Sequence, residues 1–221
     1  MRILIKCAGD LATGIAYRLF KCGYEIIMTD IAVPTAVRRA VAFSRAVCEG
    51  TAAVEGVEAE YAGEAAEYGK VAPKADKKTL TQRFVERIEH ILQTGKIPVI
   101  VDEKAEITKI IKPEVIVDAI IAKRNLGTKI TDAPLVIGVG PGFTAGVDCH
   151  CVVETKRGHY LGKVMYSGSA IPNTGIPGNI GGYTVERIIR ANADGSFIPV
   201  RGIGDRVEAG DVSSCWIILP V

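Results

Sequence analysis

The first thirty residues constrain this chain more than any other stretch. An isoleucine-rich run, Arg2 to Cys7, breaks into Cys7-Ala8-Gly9-Asp10-Leu11-Ala12-Thr13-Gly14 and then into the helical pattern Ile15 to Cys22, closed by Gly23. A second apolar run, Tyr24 to Thr29, ends on Asp30. Strand, glycine turn, helix and strand in that order predict a β-α-β unit of Rossmann-like type. The turn reads C-x-G-x-x-A, with Cys7 where a dinucleotide-binding fingerprint has its first glycine and Ala12 where it has its third. Gly9, Asp10, Ala12, Thr13 and Gly14 are therefore candidates to cradle a phosphate, and Asp30 to hold a ribose hydroxyl. The same pattern also fits a Rossmann-like fold whose pocket is altered or empty.

Pro34 and Thr35 then start a predicted helix through Val47, with Arg38 and Arg39 in its first turns. Their planar forks suit phosphate oxygens, although such a pair also serves as a solvated face. Thr51 to Val54 and Val57 to Tyr61, joined by Glu55-Gly56, read as a β-hairpin. Residues 63–78, with Lys70, Lys74, Lys77 and Lys78, read as a mobile, solvated loop. Thr79 is the expected cap of a helix to Thr94, with Phe84, Ile88 and Ile91 on its apolar face and His90 at the surface. Two short strands, Pro98 to Val101 and Val115 to Val117, run into Asp102 and Asp118, with a helical turn at Ala105 to Ile111 between them. With Asp30 that makes three strands ending on aspartate, which either line one rim of a parallel sheet or cap the helices that follow. Asp118 with Lys123, Arg124, Asn125 and Thr128 forms a polar cluster.

A second glycine turn follows in Leu135 to His159, where an apolar run opens into Gly138, Gly140, Pro141 and Gly142. Its backbone N–H groups can face an anion, so these glycines are a second candidate cradle. Close behind come Asp148, Cys149, His150, Cys151, Glu154 and His159, which include two of the three histidines. Lys123, Asn125, Asp148, His150, Glu154 and His159 are the candidate catalytic residues. The plainer alternative is a bend followed by one strand and a polar hairpin tip.

Composition excludes some classes. A net charge of +2 argues against an obligatory nucleic-acid partner, since a duplex-binding surface normally shows as a concentrated basic stripe, and no such partner is expected. No apolar run reaches the length of a membrane span, and the N-terminus has too short a run for a secretory signal. A cytoplasmic protein is expected. The six cysteines then read as reduced thiols, and Cys149-x-Cys151 lacks a second pair to complete a zinc site. No metal centre is expected.

The strings GDLATGIAYRL, PTAVRRAVAFSRAV, VDAIIAKRNLGT, APLVIGVGPGFTAGVDCHCVVETKRGHYLG and IPNTGIPGNIGGYTVERIIRA together resemble the YqeB family of the selenium-dependent molybdenum hydroxylase system. The resemblance runs from residue 1 to about residue 212. It implies an accessory protein that helps mature or load the cofactor of a molybdenum hydroxylase, its partner. The implied ligand is molybdenum cofactor or a (di)nucleotide. A more distant similarity is to the Rossmann domain of xanthine dehydrogenase accessory factors. On this reading Cys149 and Cys151 could hold sulfur or selenium, and Cys7, where the family commonly has glycine, adds a thiol at the site mouth. Residues 193–212 resemble the first half of a biotinyl/lipoyl-like barrel, and the chain reads as truncated relative to the family after Val212.

The expected architecture is a Rossmann-like α/β domain over 1–147 with a mostly parallel sheet, then a β-rich segment over 148–221. Residues 167–183, rich in Gly and Pro, form a long loop, and Trp216 to Val221 is an apolar tail that needs a partner, its own body or a second copy in a homo-oligomer. Two other functions stay open. One is an NAD(P)-dependent oxidoreductase with Asp30 on the ribose and Lys123 or His150 as proton donor. The other is a non-enzymatic docking protein that uses the β-rich segment, so whether the chain is an enzyme is undecided here.

Overall fold

The computed structural model describes residues 1–65, 77–176, 178–190, 193–212 and 214–218. The chain divides into two compact units, Met1–Pro172 and Asn173–Val221. The first is an α/β, Rossmann-like unit. Its strands are β1 (Arg2–Lys6), β2 (Glu25–Asp30), β3 (Thr51–Val54), β4 (Val57–Glu64), β5 (Ile97–Val101), β6 (Val115–Asp118), β7 (Leu135–Val139), β8 (Cys151–Val153) and β9 (Val164–Met165). They form one sheet in the order β3-β4-β5-β2-β1-β6-β7-β8-β9. β4, β5, β2, β1, β6, β7 and β8 run parallel, and only β3 and β9 pair antiparallel at the edges.

The chain leaves β1 first to one flank, through β2, and later returns to the other, through β6. The gap between the ends of β1 and β6 is thus a topological switch point, where open α/β sheets form their ligand crevice. Alternation along β1 decides what covers each face. Ile3 and Ile5 point to the face covered by α1 (Asp10–Lys21) and α2 (Arg45–Glu49), and Leu4 to the face of α3 (Lys77–Gln93). Ala12 and Ala16 let α1 sit close on the sheet, while Phe84, Ile88 and Ile91 bury one stripe of α3. Each of those three large side chains contributes about 1.5–3 kcal/mol on burial.

The connections 119–134 and 140–150 both link parallel neighbours, yet neither contains a helix. The second folds Phe143, Ala145 and Cys149 over the α3 face. On the α1 face, Leu11, Gly14, Val117, Ile137, Val139 and Val153 therefore line an apolar cleft of about 430 Å³.

Several local expectations need correction. No continuous helix spans 34–47: a 3-10 turn occupies Arg39–Val41 and α2 only Arg45–Glu49. The cause is long-range. Phe43 N–H donates to Thr13 Oγ1 (2.9 Å) and Ser44 N–H to the Ala8 carbonyl (2.7 Å), so both amides are taken from a helical ladder. The expected turn at Ala105 to Ile111 shrinks to α4 (Thr108–Ile111), because Asp102 Oδ2 accepts the Ile107 N–H and holds the preceding bend. α3 begins at Lys77, inside the expected loop; residues 66–76 of that loop, with Lys70 and Lys74, lie outside the described residues. The hairpin forms as expected, and β4 runs on to Glu64 because it pairs with β5.

In the second unit, β10 (Gly195–Pro199) pairs antiparallel with β11 (Ser214–Ile218). A 3-10 turn covers Val185–Arg187. Residues 219–221 of the apolar tail lie outside the described residues. No helix among the described residues is long and apolar enough to cross a membrane.

Candidate functional site

The end of β1 sets the site. Cys7 turns the chain at φ 82°, the left-handed conformation that a glycine would hold there without cost. Gly9 then caps α1 without any side-chain hydrogen bond, so the first-turn amides of Asp10, Leu11 and Ala12 have no intrahelical acceptor. Beside them β2 delivers Asp30. Its Oδ2 accepts the Ala8 N–H at 3.0 Å and its Oδ1 the Ile31 N–H at 2.8 Å. From the other side β6 delivers Ala119, Ile120 and Ile121, anchored by the Ala119 N–H on the Lys6 carbonyl. Together with Thr35 and Ala36 these residues enclose a cleft of about 260 Å³.

The electrostatics suit a phosphate next to a hydroxyl. Free amides at a helix start attract an anion. Asp10, at that same start, is neutralised by Arg38, whose Nε lies 2.6 Å from its Oδ2. Burial pushes the Asp30 carboxyl above its ordinary range, and the Ile31 and Ala8 amides only partly counter this. A hydroxyl donor on Asp30 would return some of the solvation that burial removed. Ile121 adopts φ 57°, which for a β-branched residue costs about 1–2 kcal/mol. Such strain is typical of binding loops.

Of the residues proposed for the first cradle, Gly9, Asp10, Ala12 and Asp30 meet in this cleft. Thr13 is instead a buried clip between the Ala8 carbonyl and the Phe43 N–H. Gly14 lines the apolar cleft on the far side of α1. Arg38 reaches the mouth through Asp10, whereas Arg39 is exposed in its 3-10 turn.

The second glycine turn is built for close packing. A Cβ on Gly138 would fall 2.5 Å from the Phe143 ring, one on Gly140 2.8 Å from Thr155 Oγ1, and one on Gly142 2.6 Å from the Arg124 backbone. The Gly140 N–H is already bonded to the Val153 carbonyl. Asn125 and Asp148 bond to each other and to loop amides: Asn125 Oδ1 accepts the Gly127 and Thr128 N–H groups, and Asp148 Oδ2 the Thr144 N–H. Lys123 is exposed at φ 64°.

The remaining candidates are spread along β8 rather than gathered. His150 precedes β8 and accepts the Val136 N–H on Nδ1 at the start of β7, which leaves the ring proton on Nε2. Glu154 follows β8 at the opposite end. The three residues of β8 lie between them, and four steps of strand set them about 13 Å apart. Glu154 is buried and accepts the Thr155, Lys156 and Ile171 N–H groups, while His159 is exposed against the Tyr160 ring.

No family model matches the chain, and no solved structure does. A match exists among curated proteins: the chain is 46% identical over 215 residues, 97% of its own length, to the "Uncharacterized protein YqeB" of Escherichia coli (strain K12). This identity supports a YqeB-family member. The chain spans 36% of that relative's length.

Three groups of this YqeB-like chain escaped the sequence reading. Thr35 and Ala36 line the cleft from a segment expected to be helical, and Ala119–Ile121 follow Asp118 into it. The switch-point rule applied to the residues after Asp118 could have found the latter. The third is Lys6, a charged residue closing an apolar strand and buried at the rim.

The cysteines of the YqeB-like chain differ sharply in access. Burial pushes the Cys7 thiol up to about 11, nearby Asp30 adds to this, and the Gly9 and Ala8 amides pull it back only in part. Burial also pushes Cys149 and Cys151 up. Cys22 and Cys48 are exposed. Iodoacetamide at pH 8 should therefore label Cys22 and Cys48 first, with Cys7 at least roughly tenfold slower because only the thiolate reacts. Peptide mapping over time reads this directly. Equal rates at Cys7 and Cys22 would contradict the half-buried, protonated thiol.

Proposed function

We propose that the chain binds a nucleotide- or pterin-containing ligand at the rim of β1, β2 and β6, and acts as an accessory protein in loading or maturing the cofactor of a selenium-dependent molybdenum hydroxylase. What supports the binding step is the cleft in which three free helix-start amides and the Asp30 carboxylate converge. The amides of Asp10, Leu11 and Ala12 would hold the phosphate, and Asp30 a neighbouring hydroxyl. Arg38 would exchange part of its pairing with Asp10 for the incoming anion. The molybdenum and selenium context rests on the resemblance to the YqeB family and, more distantly, to xanthine dehydrogenase accessory factors. The cofactor is cargo on this reading, and the protein works in the cytoplasm.

The C-terminal segment, with β10 and β11, takes the role of a partial biotinyl/lipoyl-like barrel that docks the hydroxylase or a second copy. Native mass spectrometry of the purified chain with NAD, NADP, ATP, CTP and molybdenum cofactor tests the reading. Retention of a pterin or its dinucleotide is expected. Asp30→Asn should weaken it about 10- to 100-fold, the worth of one charge-assisted hydrogen bond, with circular dichroism checking the fold. Retention of NAD(P) alone would overturn it in favour of an oxidoreductase, which hydride transfer from NAD(P)H would then have to establish, and a chain that retains nothing would overturn it in favour of a docking protein.

A further inference from the structure

A second cleft, of about 240 Å³, lies at the same rim but on the opposite face of the sheet, between the segment after β5 and the loop after β6. Its lining includes Lys6, Lys104, Lys109 and Lys129 against two carboxylates, Glu106 and Asp132. Lys6 is the buried member, only 9% exposed. Its Nζ donates to Thr128 Oγ1 at 2.8 Å, and Thr128 Oγ1 lies 2.5 Å from Asp118 Oδ2. An ammonium group only donates, so the single Thr128 proton must go to Asp118. The network has one direction.

That leaves Lys6 short of direct countercharge. Asp118 acts on it through the hydroxyl, and the carboxylate within ion-pair reach among the described residues, Asp132, is 3.9 Å away. Asp132 Oδ2 also accepts the Lys129 N–H, which fixes the loop. Glu106 is taken by Lys109. Lys104 and Lys129 form no side-chain ion pair among the described residues, and both are exposed. A buried cation whose nearest carboxylate stands 3.9 Å away, beside two exposed lysines outside ion-pair distance of any carboxylate among the described residues, favours an anionic occupant, since a buried charge with distant countercharge is costly.

We propose that this cleft is a binding site for a small polyanion, phosphorylated or polycarboxylic, held by Lys6 from within and by Lys104 and Lys129 at the mouth. It is separate from the nucleotide cleft, with the end of β1 between them: Lys6 faces one and Cys7 the other. The Asp118 Oδ1 that accepts the Ile120 N–H ties the two together, because Ile120 lines the nucleotide cleft. A substrate or regulator could therefore sit beside the bound nucleotide without competing for it.

Calorimetric titration of the full chain with pyrophosphate and, separately, citrate at low salt tests this. Binding of either is expected: pyrophosphate alone would mark a phosphorylated ligand, citrate alone a polycarboxylate, and both a general polyanion site. The Lys104→Ala/Lys129→Ala double variant, altered only at exposed positions, should bind at least roughly tenfold more weakly, as removal of two facing cations predicts. Lys6→Met should remove binding altogether, and if it fails to fold the double variant decides. Failure of both anions to bind, or unchanged affinity in the double variant, as binding at the α1 amides would give, overturns the proposal.

Discussion

Gly142→Ala is expected to cost about 3–5 kcal/mol of stability, enough to unfold a marginal domain. Two penalties act together. The residue sits at φ 112°, which an L-amino acid adopts only under strain. The added methyl would also fall 2.6 Å from both N and Cα of Arg124. Those are backbone atoms of a loop fixed elsewhere by Asn125 and Thr128, so no side chain can swing aside. Gly140→Ala makes the informative comparison. Its φ of 82° is similarly restrictive, but its nearest neighbour is the tip of the Thr155 side chain, so a smaller loss of about 1–2 kcal/mol follows. Gly14→Ala, inside α1 with nothing within 4 Å of the new methyl, should gain about 0.5–1 kcal/mol from helix propensity. Urea denaturation of the three variants checks the order. A Gly142→Ala protein as stable as the parent would mean that the 119–134 loop yields freely.

The contrast between these glycines also marks what local sequence can and cannot convey. Strand, turn and helix at the start of the chain are set by contacts within a few residues, and the β-α-β reading of Arg2 to Asp30 follows from periodicity alone. The meeting of Gly9, Asp10 and Ala12 with Asp30 in one cleft came with it, because the fingerprint encodes their spacing. The helix expected over 34–47 failed for a reason no window contains: the Thr13 hydroxyl and the Ala8 carbonyl reach across from α1 and its leading turn to claim two of its amides. Density of polar residues misled in another way. Asp148 to His159 looks like one cluster in the sequence, yet β8 carries the chain from one rim of the sheet to the other between His150 and Glu154. Proximity in sequence became distance in space. Conversely Lys6, from the first strand, joins Asp118 and Thr128, which the sequence does group, across more than a hundred residues.

Glu154 is where a residue read as catalytic becomes a test of the fold. Its carboxylate holds three backbone amides: Thr155 and Lys156 on Oε1 and Ile171 on Oε2, all at 2.7–2.8 Å. It thereby pins the segment before Pro172, the last residue of the first unit, to the end of β8. Glu154→Ala removes both acceptor oxygens and with them all three hydrogen bonds, and should cost about 2–4 kcal/mol, since a buried amide without a partner costs about 1–3. Glu154→Gln keeps one oxygen for two of the amides but turns an NH₂ toward the third, so a loss of about 1–2 kcal/mol is expected. The pH dependence carries a sign. Burial alone would push this carboxyl up, but the three amides and Lys156 outweigh it and hold it below the ordinary range. The folded chain therefore binds fewer protons at this site than the unfolded chain does. Its stabilisation is fully present above the ordinary glutamate value of about 4.3 and is lost as pH falls through the lower, folded value. The stability difference between parent and Glu154→Gln, measured by denaturation from pH 7 downward, should accordingly stay constant to near that value and then shrink. A difference that grows on acidification, or a Glu154→Ala protein within about 0.5 kcal/mol of the parent, would place those amides in contact with water rather than on the carboxylate.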